Sequence, residues 1–496
     1  MTTYRPRLRA HLRLDDAGLV DTLLARTLSL DGTARELASR LDGTADWTAI
    51  RAALVGGGHE ADDVDDAMRG FLYLHAVEGA GDELAARLAR AAARPADAPL
   101  VVMPGARFAC QGSGSCCTGY SLGPLSDEDL AGLDALDLAT AFPHVAPPYV
   151  ILDDERGRFL RRDGDACVFL EDKNRCGIHA RFGAGAKPGF CRLYPYDYFG
   201  TIEGTRVHDR GACATFGTSA RVGLPIVDDL PRVRPLLETP VLYHPYAVVD
   251  GWAWDYGLFL RFTAAATAMV GSGLGTATST FAAIGRLLDA LARAMHDCPL
   301  EPGQPDAVVG AVLAEEPARW YDEPDHVTAT ISLRRLITML DELALSMAAA
   351  AEQGLAQAAV KRFRAAVELI EYAVGRIVAH DGTAVVADHA ADVDEALRIS
   401  FQQQLFGRRF LVGGQAGTGL VRCGLVHLLA LAGARLDAGQ RPLTAADLSR
   451  GHMLATRVFH TGSVDRLLLE QEARWRDLVV GLTVAAGVIA AVDPAS

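Results

Sequence analysis

A chain of 496 residues, half of them apolar, has material for about three domains with cores of their own, which excludes a disordered protein. Its 48 Lys and Arg against 62 Asp and Glu leave a net charge of −14 with no long basic run, which excludes nucleic acid as a general partner. The opening MTTYRPRLRAHLRL alternates Arg with Leu and lacks the apolar stretch of a secretion signal, so a cytoplasmic location with reduced thiols is expected.

Residues 1–82 read as a small first domain. Alternating segments, Arg5 to Leu14 and Gly18 to Leu30, predict strands. Helical patterns follow at Thr33 to Leu54 and Asp62 to Val77, separated by Gly56-Gly57-Gly58. In the second pattern Val64, Ala67, Phe71 and Leu74 recur at helical spacing and predict one apolar face. Strands before helices suit a winged-helix-like module. ELAARLARAAARPADAPL, residues 83–100, predicts a helix running into a Pro-punctuated linker.

Residues 101–224 predict a second, loop-rich domain of short β-like runs at Tyr149 to Leu152, Arg158 to Arg161 and Cys167 to Leu170. This stretch is expected to need more than an apolar core to hold it. Residues 240–492 then predict one α-helical domain, with Leu333, Leu336, Ile337, Leu340, Leu343 and Met347 at spacings of three and four, and Val360, Phe363, Val367, Ile370 and Val374 likewise. The whole is expected to be α+β and mostly α. The apolar run Leu478 to Val492 is shorter than the roughly 20 residues a bilayer needs, so it predicts a core helix rather than a membrane span.

Seven of the nine cysteines, Cys110, Cys116, Cys117, Cys167, Cys176, Cys191 and Cys213, fall within 104 residues, leaving Cys298 and Cys423 for the other 392. Disulfides do not suit an odd count in a chain expected to stay reduced. Inert packing thiols suit Cys298 and Cys423 but not the adjacent pair Cys116-Cys117 beside Gly. Thiolate ligation of a metal suits the density and would add folding energy. Zinc prefers four N or S ligands, often in CxxC pairs, and no CxxC occurs; an iron–sulfur cluster is held by thiolates at more dispersed spacings. His179 in CGIHARF and His208 in HDRGAC are available as nitrogen ligands, with surface or packing roles as the plainer alternative.

CRLYPYDYF sets Tyr194, Tyr196 and Tyr198 two apart around Asp197, on one face of an extended segment. Beside a metal centre such rings could hold a lysine ammonium by cation–π contact, with Asp197 as proton acceptor; the alternative is that they pack over the cluster and shield it. GGQAGTG, Gly413 to Gly419, lacks the Lys-Ser/Thr of a phosphate loop and follows no strand, so an interhelical turn is expected. No alternation of strands and helices long enough for a Rossmann-type methyltransferase core occurs.

Two resemblances add to this reading. YRPRLRAHLRL, ARELASRLDGTADWTAIRAAL and DDVDDAMRGFLYLHAVEG together resemble the PqqD-like peptide-recognition fold, which implies a peptide or protein partner captured along a sheet edge. CQGSGSCC, CVFLEDKNRCGIHARF, GFCRLYPYDY and GAC at Cys213 resemble the YkgJ-type cysteine-cluster family of zinc or iron chelators over residues 108 to 216; His179 departs from the Tyr usual there.

A cysteine cluster followed by a long helical region, with FQQQLFGRRF and ATRVFHTGSVDRLLLE, further resembles the flagellin lysine N-methylases within that group. That likeness implies S-adenosylmethionine as methyl donor and an iron–sulfur cluster drawn from the seven cysteines. It also implies a site flanked by Arg192, Tyr194 and Pro195; Arg192 is expected toward the cofactor, and Tyr194, Tyr196 and Asp197, by their own chemistry, toward catalysis. The N-terminal module is extra relative to the flagellin enzymes, which puts flagellin itself in doubt as the substrate. From a different class, the same residues allow a non-catalytic protein whose cysteines hold structural zinc and whose first module docks a partner.

Overall fold

The computed structural model describes residues 4–93, 98–118, 122–153, 157–171, 174–237, 242, 245–322, 326–352, 357–379, 390–407, 410–411, 414–459 and 462–491. Helix makes up 61% and strand 13%, so the protein is mostly helical α+β with small sheets and a helical C-terminal region.

The first module opens with an antiparallel sheet of β1 (Leu12–Asp15), β2 (Gly18–Asp21) and β3 (Arg26–Leu28), in that order. The β1–β2 turn is held by the Asp15 carboxylate, which accepts from the Ala17 amide at 2.9 Å. Only glycine fits at position 18, where φ is +145° and a Cβ would lie 2.0 Å from the Leu28 carbonyl oxygen.

Three helices follow, where the periodicity predicts two: α1 (Gly32–Arg40), α2 (Trp47–Gly56) and α3 (Ala61–Tyr73). The expected helix from Thr33 to Leu54 is cut at Gly43, which takes φ +82°, and Asp46 restarts the chain by accepting from the Ala49 amide at 2.9 Å. The second expected helix stops short of Val77 because His75 adopts φ +50°. Along α3, Val64 and Phe71 are buried and Ala67 and Leu74 partly so, as their spacing implies. The helix α4 (Asp82–Ala93) follows.

This module is not packed alone. Leu19, Leu37 and Phe71 share one continuous apolar core with the helical region. Tyr73 stands edge-on to Trp252 at 5.7 Å, its hydroxyl donates to the Met295 carbonyl, and its own carbonyl accepts from the Asp255 amide at 2.7 Å.

In the middle of the chain, Tyr196–Thr201 pairs antiparallel with Gly204–Asp209, which in turn pairs parallel with Leu100–Val102. The predicted run Cys167 to Leu170 is divided between two short strands, Ala166–Cys167 and Leu170–Glu171. This stretch, expected to need more than an apolar core to hold it, does have a core of its own. Leu122, Leu125, Leu133, Phe142, Leu160, Phe169 and Ile178 form a separate buried cluster that also takes in Cys117 and Cys167. Those apolar residues are spread across turns with no period, so no amphipathic pattern announces them.

The helical region begins with a hairpin, Ala247–Val249 with Trp252–Trp254, that its periodicity did not predict. Its centre is the helix Ala416–Ala438, long and apolar enough to cross a membrane, with 94% of its most apolar window buried inside the protein. It crosses Ala445–Val458 where Gly433 meets Gly451, a Cβ on Gly433 falling 2.8 Å from the Gly451 Cα. The run from Leu478 lies in the helix Trp475–Ala490 and is largely buried, as a core helix. Of GGQAGTG, Gly414 makes the expected turn at φ +87°, whereas Gly417 and Gly419 sit inside the following helix. There a Cβ would strike the Trp475 ring and the Phe410 carbonyl. Gly413 lies outside the described residues.

Candidate metal centre

The loop Cys110 to Cys117 doubles back through two glycines at positive φ, Gly112 and Gly114, into the single 3-10 turn Ser115–Cys117. At Gly114 a Cβ would come within 2.9 Å of the Asn174 Cβ, so glycine lets this loop lie against the segment that carries Cys176. Cys176 ends the strand Arg175–Cys176 and precedes the helix Gly177–Phe182.

The two segments bring three sulfurs together. The Cys116 and Cys117 sulfurs share a contact at 3.8 Å, and Cys176 lies close enough to interact with both. That sharing, together with the positive charge of Lys187, pulls Cys116 and Cys176 below the ordinary thiol range, while Cys117, the proton donor to both, is driven up. Cys167 and Cys191 lie close enough to feel the charge of this trio, and burial raises both, Cys167 to about 11. Among the described residues, no three or more His, Cys, Asp or Glu side chains stand in ready ligand geometry around one point. Five cysteines on four short segments, with the Cys116 and Cys117 sulfurs 3.8 Å apart, are the donors this region offers.

The trio floors an open groove of about 500 Å³. Cys110, exposed, lies on its rim, along with Gln111, Asn174, Arg175, His179 and Lys187. Cys213 keeps different company. Its sulfur lies 3.2 Å from the Thr215 hydroxyl and 3.7 Å from those of Ser113 and Ser115. The 113–117 loop thus shows hydroxyls to Cys213 and sulfurs to Cys176. Cys298 and Cys423 are buried in the helical region, where burial lifts their thiols to about 11 and about 12.

The residues picked out beside Cys191 do not line the groove. Tyr196 is buried in an apolar cluster with Met103, Val207 and Ile226, stands edge-on to Phe108, and donates its hydroxyl to Asp229 at 3.1 Å. Tyr194 precedes the strand and donates to the Ala212 carbonyl at 2.8 Å. Asp197 is 8% exposed, pairs across the hairpin with His208, and accepts from the Tyr198 amide at 3.0 Å. Arg192 turns its carbonyl to Arg232 at 2.7 Å. His179 reaches the groove rim, whereas His208 faces a cavity of about 30 Å³ shared with Asp209, Arg422 and His452. In that cavity burial lifts the Asp209 carboxyl to about 7.

Residues that sequence reading passed over hold the cysteine loops from the helical region. Arg457 donates to the carbonyls of Ser115 at 2.7 Å and Ala212 at 3.3 Å. One turn away, His452 stacks on Phe216 at 4.4 Å and donates from Nδ1 to the Gly211 carbonyl at 2.9 Å. Burial lowers its pKa to about 4, so the ring is neutral and its Nε2 accepts from the Ser400 hydroxyl at 2.5 Å. A lone Arg and His on a helix carry no spacing signal. Comparison with family models, with curated proteins and with solved structures finds no match.

Proposed function

We propose that this protein is a thiolate metalloprotein that modifies a peptide or protein, with S-adenosylmethionine-dependent lysine N-methylation as the reaction. The observation that carries the reading is that the Cys116, Cys117 and Cys176 sulfurs line one open groove, the first two 3.8 Å apart. Cys167 and Cys191 complete the donor pool for an iron–sulfur cluster, and Cys110 stands at the rim. When bound, such a cluster supplies a redox-active, Lewis-acidic iron centre. The chain's own residues brace it. Tyr194 and Arg457 converge on the Ala212 carbonyl, and the buried Tyr196 anchors the strand that follows Cys191.

The N-terminal module supports the peptide side of the reading. Its sheet-then-helices order is the one expected of a PqqD-like winged-helix module, and β3 pairs with β2 alone among the described strands, leaving an edge for an extended peptide. Mixing anaerobically purified protein with labelled S-adenosylmethionine and lysine-bearing peptides tests the reaction. Label on lysine is the expected result, and none with the metal centre intact overturns it.

A second reading, structural zinc in a non-catalytic protein, has one observation in its favour. Two sulfurs 3.8 Å apart match the edge of a tetrahedron of thiolates at roughly 2.3 Å from one zinc. A brown protein containing iron and sulfide supports the first reading, and a colourless one containing zinc the second.

A further inference from the structure

We propose that the groove above the sulfurs binds the methionine end of S-adenosylmethionine, with Lys187 and Arg175 receiving its carboxylate. The placement rests on the methyl-transfer reading and names the residues that would hold its donor.

Size is the first argument. At about 500 Å³ the groove falls within the range of small-molecule sites, whereas the cavities beside His452 and His75 hold about 30 Å³ each, room for a single water.

Charge is the second. Lys187 and Arg175 line the groove together with His179 and the sulfurs of Cys116, Cys117 and Cys176. Neither cation is paired with a carboxylate among the described residues. Their neighbour Arg181, by contrast, is taken up by Glu171 and lies 4.4 Å above the Phe142 ring. Two cations set beside soft sulfur donors complement a ligand that carries a carboxylate next to a sulfonium. The amino-acid end of S-adenosylmethionine does so: its sulfonium and ammonium suit the sulfurs, and its carboxylate suits the two cations. A lysine ammonium from a peptide has no use for the two cations.

The test is calorimetric titration of the full chain, purified without oxygen, with S-adenosylmethionine and separately with 5′-methylthioadenosine, which lacks the amino-acid end. Lys187→Ala and Arg175→Gln are each expected to weaken S-adenosylmethionine binding by roughly tenfold or more, the loss of a charge-assisted contact. Binding of 5′-methylthioadenosine should stay as in the wild type for both, and metal content and absorbance spectrum should stay so for Arg175→Gln. Variants that bind S-adenosylmethionine like the wild type overturn the placement alone. An Arg175→Gln variant that loses its metal together with the ligand also overturns it, because that cation would then serve the metal centre and not the carboxylate. A wild-type chain that binds no S-adenosylmethionine removes the methyl-donor reading itself.

Discussion

Arg457 donates to the backbone carbonyl of Ser115 at 2.7 Å across 342 positions of sequence. Ser115 begins the turn that carries Cys116 and Cys117, so a guanidinium from the helical region sets the carbonyl that aims two of the three clustered sulfurs. The same guanidinium reaches the Ala212 carbonyl, next to Cys213. Arg457→Ala leaves both carbonyls short of a charged donor. It should cost about 1–3 kcal/mol in a urea titration and reduce the metal retained on purification, with Arg457→Lys recovering part of both. An Ala variant with wild-type metal content would show that the loop holds its shape unaided.

The surroundings of the cysteines divide them, and single serine substitutions should follow that division. Cys117→Ser and Cys176→Ser are expected to abolish metal binding, because each removes a sulfur from the trio. Cys213→Ser should retain the metal, since three hydroxyls already surround that position and another is tolerated. Elemental analysis of the three variants decides it.

His75 predicts a pH dependence of stability. It is buried between Asp255 at 3.6 Å and Asp306 at 3.5 Å, distances of ion pairs rather than hydrogen bonds, and Arg261 backs Asp306 at 2.9 Å. Burial opposes the imidazolium, but the two carboxylates outweigh it and raise the pKa to about 9. A group raised above its unfolded value stabilises fully below about pH 6.5, and the contribution is lost as pH rises through about 9. A shift of this size is worth about 3 kcal/mol at most. Denaturant titrations from pH 6 to 10 should therefore show a fall in stability that His75→Gln flattens, with the N-terminal module loosening first.

Close helix packing supplies a further prediction. A Cβ at Gly451 would lie 2.4 Å from the Leu429 carbonyl oxygen and 3.0 Å from the Ala430 Cα, both on the central helix. Gly451→Ala should cost about 1–3 kcal/mol, read as a lower thermal midpoint by circular dichroism. An unchanged midpoint would mean that the two helices can separate freely.

Much of the architecture was legible locally. The period of three and four that marks Leu333 to Met347 and Val360 to Val374 lies in two long helices, His326–Glu352 and Gln357–Ala379. The two-residue period around Tyr196 and Tyr198 lies in a strand. What periodicity missed was punctuation: the break at Gly43, the positive φ of His75 and the hairpin before the helical region depend on one or two residues each. For the site, the density of cysteines drew attention to the right loops. Density could not say that Cys213 faces hydroxyls, or that Tyr196 points into an apolar cluster and not into the groove.

The division has a physical cause. Hydropathy period, helix caps and glycine turns act over a few residues, so the chain by itself determined its mostly helical α+β character and marked the segment between 110 and 213. Which sulfurs meet, which cations share their groove, and that Arg457 and His452 brace their loops depend on packing between segments from about 60 to more than 300 residues apart. Only the tertiary structure decided those, because a side chain's partner across such a distance leaves no trace in the residues beside it.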